Sequence, residues 1–147
     1  MHTPASIAKH PIHPMLVTIP IGLWLFSFVC DLIYVFTDAN EGWAVVGFYT
    51  MLGGIIGALA AAVPGMIDML SLPSGVKKIA IMHMSINLTI VVLYVINAWL
   101  RIREVETLWP LWLSIVAIML LAVSGWLGGK MVYVHGVGVQ IPPQPVP

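Results

Sequence analysis

Four stretches of this chain are each long and apolar enough to cross a bilayer, and no other feature constrains its fold as tightly. A hydrocarbon core about 30 Å thick needs roughly 20 apolar residues in a helix. Met15–Phe36 meets that requirement with Asp31 as its only charge. Trp43–Met66, Ile79–Leu100 and Leu108–Leu127 contain no Asp, Glu, Lys or Arg. In lipid every backbone polar group must be satisfied within the protein, so these stretches read as helices. A transmembrane barrel would instead alternate apolar and polar residues in short segments. The expected fold class is all-α: one integral membrane domain of four transmembrane helices in an up-down antiparallel bundle, because short connections make neighbouring helices antiparallel.

Composition narrows the functional classes. Charged residues make up 8% and hydrophobic residues 60%, against roughly 25% charged in soluble chains. Six basic residues balance six acidic ones, so a nucleic-acid partner, which needs a basic excess, is excluded. One cysteine, Cys30, excludes an internal disulfide framework and a cysteine-rich zinc or iron–sulfur site. The first apolar run is too long for a cleaved signal peptide and is expected to be retained.

Prolines and small residues mark the joints. Pro14 precedes the first span and Pro110 opens the fourth, both first-turn positions where a missing N–H does no harm. Pro64 and Gly65 are expected to end the second helix. Gly53, Gly57 and Ala61 form a small-residue face on that helix, suited to close packing within the bundle, to a second copy of the chain, or to a flat cofactor. The tail from Val132 to Pro147, with Gly136 and Gly138 and a proline-rich end at 140–147, cannot form a long helix and is expected to lie extended at the cytoplasmic surface. An even number of spans puts both ends on one side. That side carries Lys9, Lys77, Lys78 and Lys130, and the other Arg101 and Arg103. The excess of basic residues predicts cytoplasmic termini in a bacterial inner membrane. Trp43, Trp99, Trp109 and Trp112 fall at the opposite interface, as an aromatic belt would.

Ionisable groups in a membrane are costly and usually find a partner. Asp31 falls near the outer interface, where Arg101 is its natural partner in a structural ion pair. At the other end, His13 precedes the first span as a potential N-cap, and Asp68 follows the second. His83 lies one turn into the third span with Asn87 a turn deeper, and His135 follows the fourth. Three histidines and an aspartate from different helices therefore gather at one mouth of the bundle. Two histidines there could ligate a b-type haem, with Lys77 or Lys130 near its propionates. Alternatively His13, Asp68, His83 and His135 could hold a divalent metal. Each could also be an interface residue and no more. His2 and His10 read as solvent-exposed. Ser71, Ser74 and Ser85 lie nearby, but nothing marks any as an activated nucleophile, and the reading leans away from an enzyme.

The stretch His10-Pro-Ile-His13-Pro-Met-Leu, then Ile19-Pro-Ile-Gly22 and Asp31, resembles the opening of the membrane protein family called domain of unknown function 2231. The segment around His83 and Asn87 resembles that family's third helix. The ending Gly125-Trp-Leu-Gly-Gly129-Lys-Met-Val-Tyr133-Val-His135-Gly-Val-Gly-Val139 is its most specific match. The resemblance implies a four-helix membrane protein with His13, Asp31, His83, Asn87, Lys130, Tyr133 and His135 as candidate functional positions. Related domains occur fused to Rieske-type iron–sulfur domains, which implies respiratory electron transfer. The leading expectation is a small haem b electron-transfer protein whose cofactor contacts come from His13, His83, His135, Asn87, Lys130 and Tyr133. The alternatives are an accessory subunit of a larger membrane complex and a metal-binding membrane protein.

Overall fold

A computed structural model of the chain describes residues 3–37, 40–103 and 108–139. The four apolar stretches are helices, long and apolar enough to cross a membrane at Ile12–Phe36, Glu41–Leu70, Ser74–Ile102 and Trp109–Tyr133. The protein is an all-α, four-helix membrane protein.

The first span is broken. A five-residue helix α1 (Ile12–Leu16) hands over at Val17 to α2 (Thr18–Phe36). Pro20 sits in the first turn of α2, where its missing donor costs nothing. His13 lies inside α1, so it is not the N-cap expected of it; that position belongs to Pro11. Helix α3 (Glu41–Leu70) starts at Asn40, whose side chain accepts from the Gly42 N–H at 2.9 Å. It does not end at Pro64 and Gly65 but runs on through both to Leu70. A bilayer tolerates such a proline when neighbouring groups satisfy the carbonyls it frees. Asp68 therefore lies within the last turn of α3. Helix α4 (Ser74–Ile102) begins one turn before the apolar run, and α5 (Trp109–Tyr133) continues past it. Val132 and Tyr133 are thus helical, and the chain then turns through Gly136 and Gly138 at positive φ. The proline-rich stretch 140–147 lies outside the described residues.

The helices pack as two hairpins. In the first, Trp24 of α2 lies against Gly54 of α3, Ile19 and Pro20 against Gly57, and Cys30 and Asp31 against Gly47. The contact numbers fall along one helix as they rise along the other, so α2 and α3 are antiparallel. Trp24 Nε1 donates to the Met51 carbonyl at 3.3 Å, and Ser27 Oγ to the Gly47 carbonyl at 2.7 Å. The small-residue face packs within the bundle, one of its expected uses: Gly53 meets Leu23, Gly57 meets Ile19, and Ala61 is buried. In the second hairpin Asn97 Nδ2 donates to the Pro110 carbonyl (2.8 Å) and Ser114 Oγ (3.0 Å), while His83 meets Ser124.

Between the hairpins lies a core of Trp24, Met51, Ile90, Tyr94, Ala98 and Ala117. Trp24 and Tyr94 stack at 4.7 Å with planes 16° apart. At one end of this core, Arg101 donates to Asp31 Oδ2 at 2.7 Å, and Ser114 Oγ reaches the same oxygen at 3.2 Å. Three of the four spans are tied together there. Trp43, Trp99, Trp109 and Trp112 surround that end, partly or largely exposed. The outer surface is otherwise apolar, with Ile56, Val92, Met119 and Trp126 turned outward, as contact with lipid tails requires.

Candidate functional site

At the opposite end the two hairpins do not close on each other. They leave a cavity of about 350 Å³. One wall comes from α1, α2 and α3, with His13, Trp24, Ala58, Ala61 and Gly65. The other comes from α4 and α5, with His83, Asn87, Ser124, Gly125 and Gly128. Leu59, Met66 and Leu88 also border it and are about half exposed on the outer surface. The cavity is therefore a slot that reaches toward lipid between the hairpins.

Its end is covered by described segments near both termini, within residues 3–11 and 137–138. Ser6–Ile7 (β1) and His10–Pro11 (β2) form a small hairpin, turning at Ala8 and Lys9 with φ of 48° and 68°. The left-handed region is costly for side-chain-bearing residues, so other contacts must hold this turn. One is Asp68, buried, whose Oδ1 accepts from the Ala5 N–H at 2.8 Å. Another is Pro11, which packs against Gly138 of the C-terminal turn. Thr3, Pro11, Val137 and Gly138 all line the slot.

The two walls each contribute one imidazole, and these meet. The ring centres of His13 and His83 are 6.3 Å apart, with planes at 87°. His13 Nδ1 lies 2.8 Å from the Ala61 carbonyl, and His83 Nδ1 lies 2.9 Å from the Ser124 carbonyl. A carbonyl can only accept, so Nδ1 bears the hydrogen in both rings. In a neutral imidazole the lone pair then falls on Nε2. A backbone acceptor on one ring nitrogen is what fixes a metal-binding histidine in its useful tautomer. Pro64 offers no N–H to the Ala60 carbonyl, and the imidazole meets the next carbonyl, that of Ala61. On the His83 side, Asn87 Nδ2 donates to the His83 carbonyl at 2.8 Å and to Ser124 Oγ at 2.7 Å. It also approaches His83 Nε2 at 3.2 Å. Both amide hydrogens keep acceptors if Nε2 takes another partner.

The other candidates from the sequence are placed elsewhere. Asp68 borders the slot but is engaged with Ala5, and Lys77 Nζ caps α3 at the Leu70 carbonyl, 3.0 Å away. His135 is not in the slot wall, and its buried Nε2 has no partner among the described residues. Lys130 and Tyr133 are exposed. His10 is exposed and bonds the Ala8 carbonyl, while His2 lies outside the described residues. Among the described residues no three His, Cys, Asp or Glu side chains are grouped to hold a metal. The four-ligand set of His13, Asp68, His83 and His135 is therefore not assembled. Sequence reading missed Ser124 and Gly65. Ser124 left a trace, since it and Ser114 are the only hydroxyl residues of the fourth span.

These positions coincide with a known sequence family. The profile described as predicted membrane protein DUF2231 matches residues 9–141, nearly the whole chain. The chain belongs to the DUF2231 family. No curated protein and no solved structure matches it. The match spans both slot histidines, Asn87, Ser124 and the Asp31–Arg101 pair, so all of these lie within the family's own domain.

Proposed function

We propose that this DUF2231 protein is a small membrane electron-transfer protein that holds a b-type haem between His13 and His83. One observation supports the reading most: two imidazoles from opposite walls, each with Nδ1 spent on a backbone carbonyl, face one slot. The two ring centres lie 6.3 Å apart, and these two imidazoles are the residues that would hold the iron. Small residues on both walls suit a flat macrocycle, and apolar edges suit its lipid-facing rim. Haem held there would supply one-electron transfer; the chain would supply the two imidazoles and a slot largely free of polar side chains. A respiratory or redox complex in the same membrane is the proposed partner, and the lysine-bearing end is proposed to face the cytoplasm.

The test is an absorption spectrum of protein purified in detergent from haem-replete cells. A Soret band lost in both His13→Ala and His83→Ala is expected. Colourless wild-type protein overturns the reading, and stoichiometric zinc or copper in that sample assigns the pair to a bare metal instead. A reporter fused after Pro147 is expected to be active only if it works in the cytoplasm; periplasmic activity reverses the orientation.

A further inference from the structure

We propose that the slot admits from the bilayer a para-hydroquinone with an apolar tail, one of whose hydroxyls donates to Asn87 Oδ1. Such a molecule would be the electron donor in the electron-transfer reading above and for that role rests on it; its binding needs no haem. The side chains lining the slot have already spent their N–H hydrogens. His13 Nδ1 gives its hydrogen to the Ala61 carbonyl and His83 Nδ1 to the Ser124 carbonyl. Trp24 Nε1 donates to the Met51 carbonyl. Asn87 Nδ2 places its two hydrogens on the His83 carbonyl and on Ser124 Oγ. Among the described residues no lysine or arginine lines the slot. What is left over accepts: among the described residues nothing donates to Asn87 Oδ1 or to the second oxygen of Asp68. A guest that satisfies this slot must bring its own hydrogens.

Access narrows the guest further. Leu59, Met66 and Leu88 border the slot and are about half exposed on the outer surface, so the way in is through lipid. Leu88 adjoins Asn87 in the chain, and Trp24, Ala58, Val91 and Leu121 give the slot an apolar depth. An ammonium would lose its hydration here without adequate return. A hydroquinone is uncharged, dissolves in the bilayer, has a flat ring for walls of small residues, and carries a hydroxyl at its edge. Asn87 lies about 6 Å further along α4 than His83, so this contact is separate from the imidazole pair. The oxidised quinone differs in one respect: its oxygens are carbonyls, which only accept. Against Asn87 Oδ1 it would set acceptor to acceptor. Turning the amide over is no remedy, because the His83 carbonyl and Ser124 Oγ would then lose their donors. The slot is therefore selective for the reduced form, and one such hydrogen bond corresponds to about tenfold in affinity.

The experiment is anaerobic isothermal titration of the full chain in nanodiscs with a decyl-tailed benzohydroquinone, with its oxidised quinone, and with dodecanol. Wild type is expected to bind the hydroquinone about tenfold more tightly than the quinone and dodecanol more weakly than either. Asn87→Leu removes Oδ1 and is expected to bind both ring forms equally. Leu88→Trp narrows the opening and is expected to weaken both. Equal binding of the two forms by wild type, or a preference that survives Asn87→Leu, overturns the proposal. Dodecanol bound as tightly as the hydroquinone also overturns it and assigns the slot to lipid alcohols. These results leave the haem reading standing if the Soret band is present, whereas a reduced-form preference in colourless protein upholds the hydroquinone site and overturns haem. If Asn87→Leu fails to fold, the comparison of the two forms in wild type still decides.

Discussion

A histidine inside a bilayer must satisfy one ring nitrogen before the other can serve a function, and His13 and His83 do so with carbonyls of neighbouring helices. Such acceptors leave no mark in the sequence. His83 and Asn87 could be picked out as polar residues in an apolar span, but Ala61 could not, because only its backbone takes part. Asp31 and Arg101 were legible for the opposite reason, since a charge in lipid demands a partner and few were on offer. Removing one member of a buried pair strands the other, at about 3–5 kcal/mol. Asp31→Ala is expected to lose that much in equilibrium unfolding in detergent while leaving the spectrum of the proposed haem unchanged; a loss under about 1 kcal/mol contradicts the pairing. Tyr94 poses the reverse case. Its hydroxyl is buried without a partner among the described residues, and a stranded polar group costs about 1–3 kcal/mol. Tyr94→Phe is expected to leave the unfolding midpoint unchanged or raise it, and a clear drop would point to a partner for that hydroxyl.

At the scale of the helix, hydropathy located all four spans but not their ends. Apolar windows stop where charge begins, whereas helices continue into the interface: α3 through Asp68, α4 back past Lys77 and Lys78, α5 out past Lys130. Pro64 misled for a physical reason. In water a mid-helix proline usually breaks the helix, but here α3 runs on through Pro64 to Leu70. Small residues on α3 were visible as a packing face, though not which helix they would meet. Gly54 is the tightest of these contacts, with the Trp24 indole occupying the space a Cβ would need. Gly54→Ala is expected to cost about 1–3 kcal/mol in detergent unfolding, and a neutral result would mean that α2 and α3 sit further apart.

For the molecule as a whole, a polar tie closes one end while the other is left open around a slot and lidded by segments near both termini. This division of labour was only half legible. The sequence placed polar groups at both ends, but not that Asp68 would serve the lid, nor that His135 would lie outside the slot. Asp68→Ala removes a backbone-to-carboxylate bond of about 1.5–3 kcal/mol. Hydrogen exchange at Ala5 is expected to speed up about tenfold or more while the core of α3 keeps its protection; unchanged exchange would show that Pro11 and Gly138 hold the lid alone. The central claim is that His13 and His83 act together on one guest. Titrating haemin into detergent-solubilised apoprotein tests it most directly: the account predicts saturation at one haem per chain with a low-spin spectrum, and loss of that end point in either histidine-to-alanine variant. Saturable, low-spin binding that persists in the His13→Ala, His83→Ala double variant would contradict it.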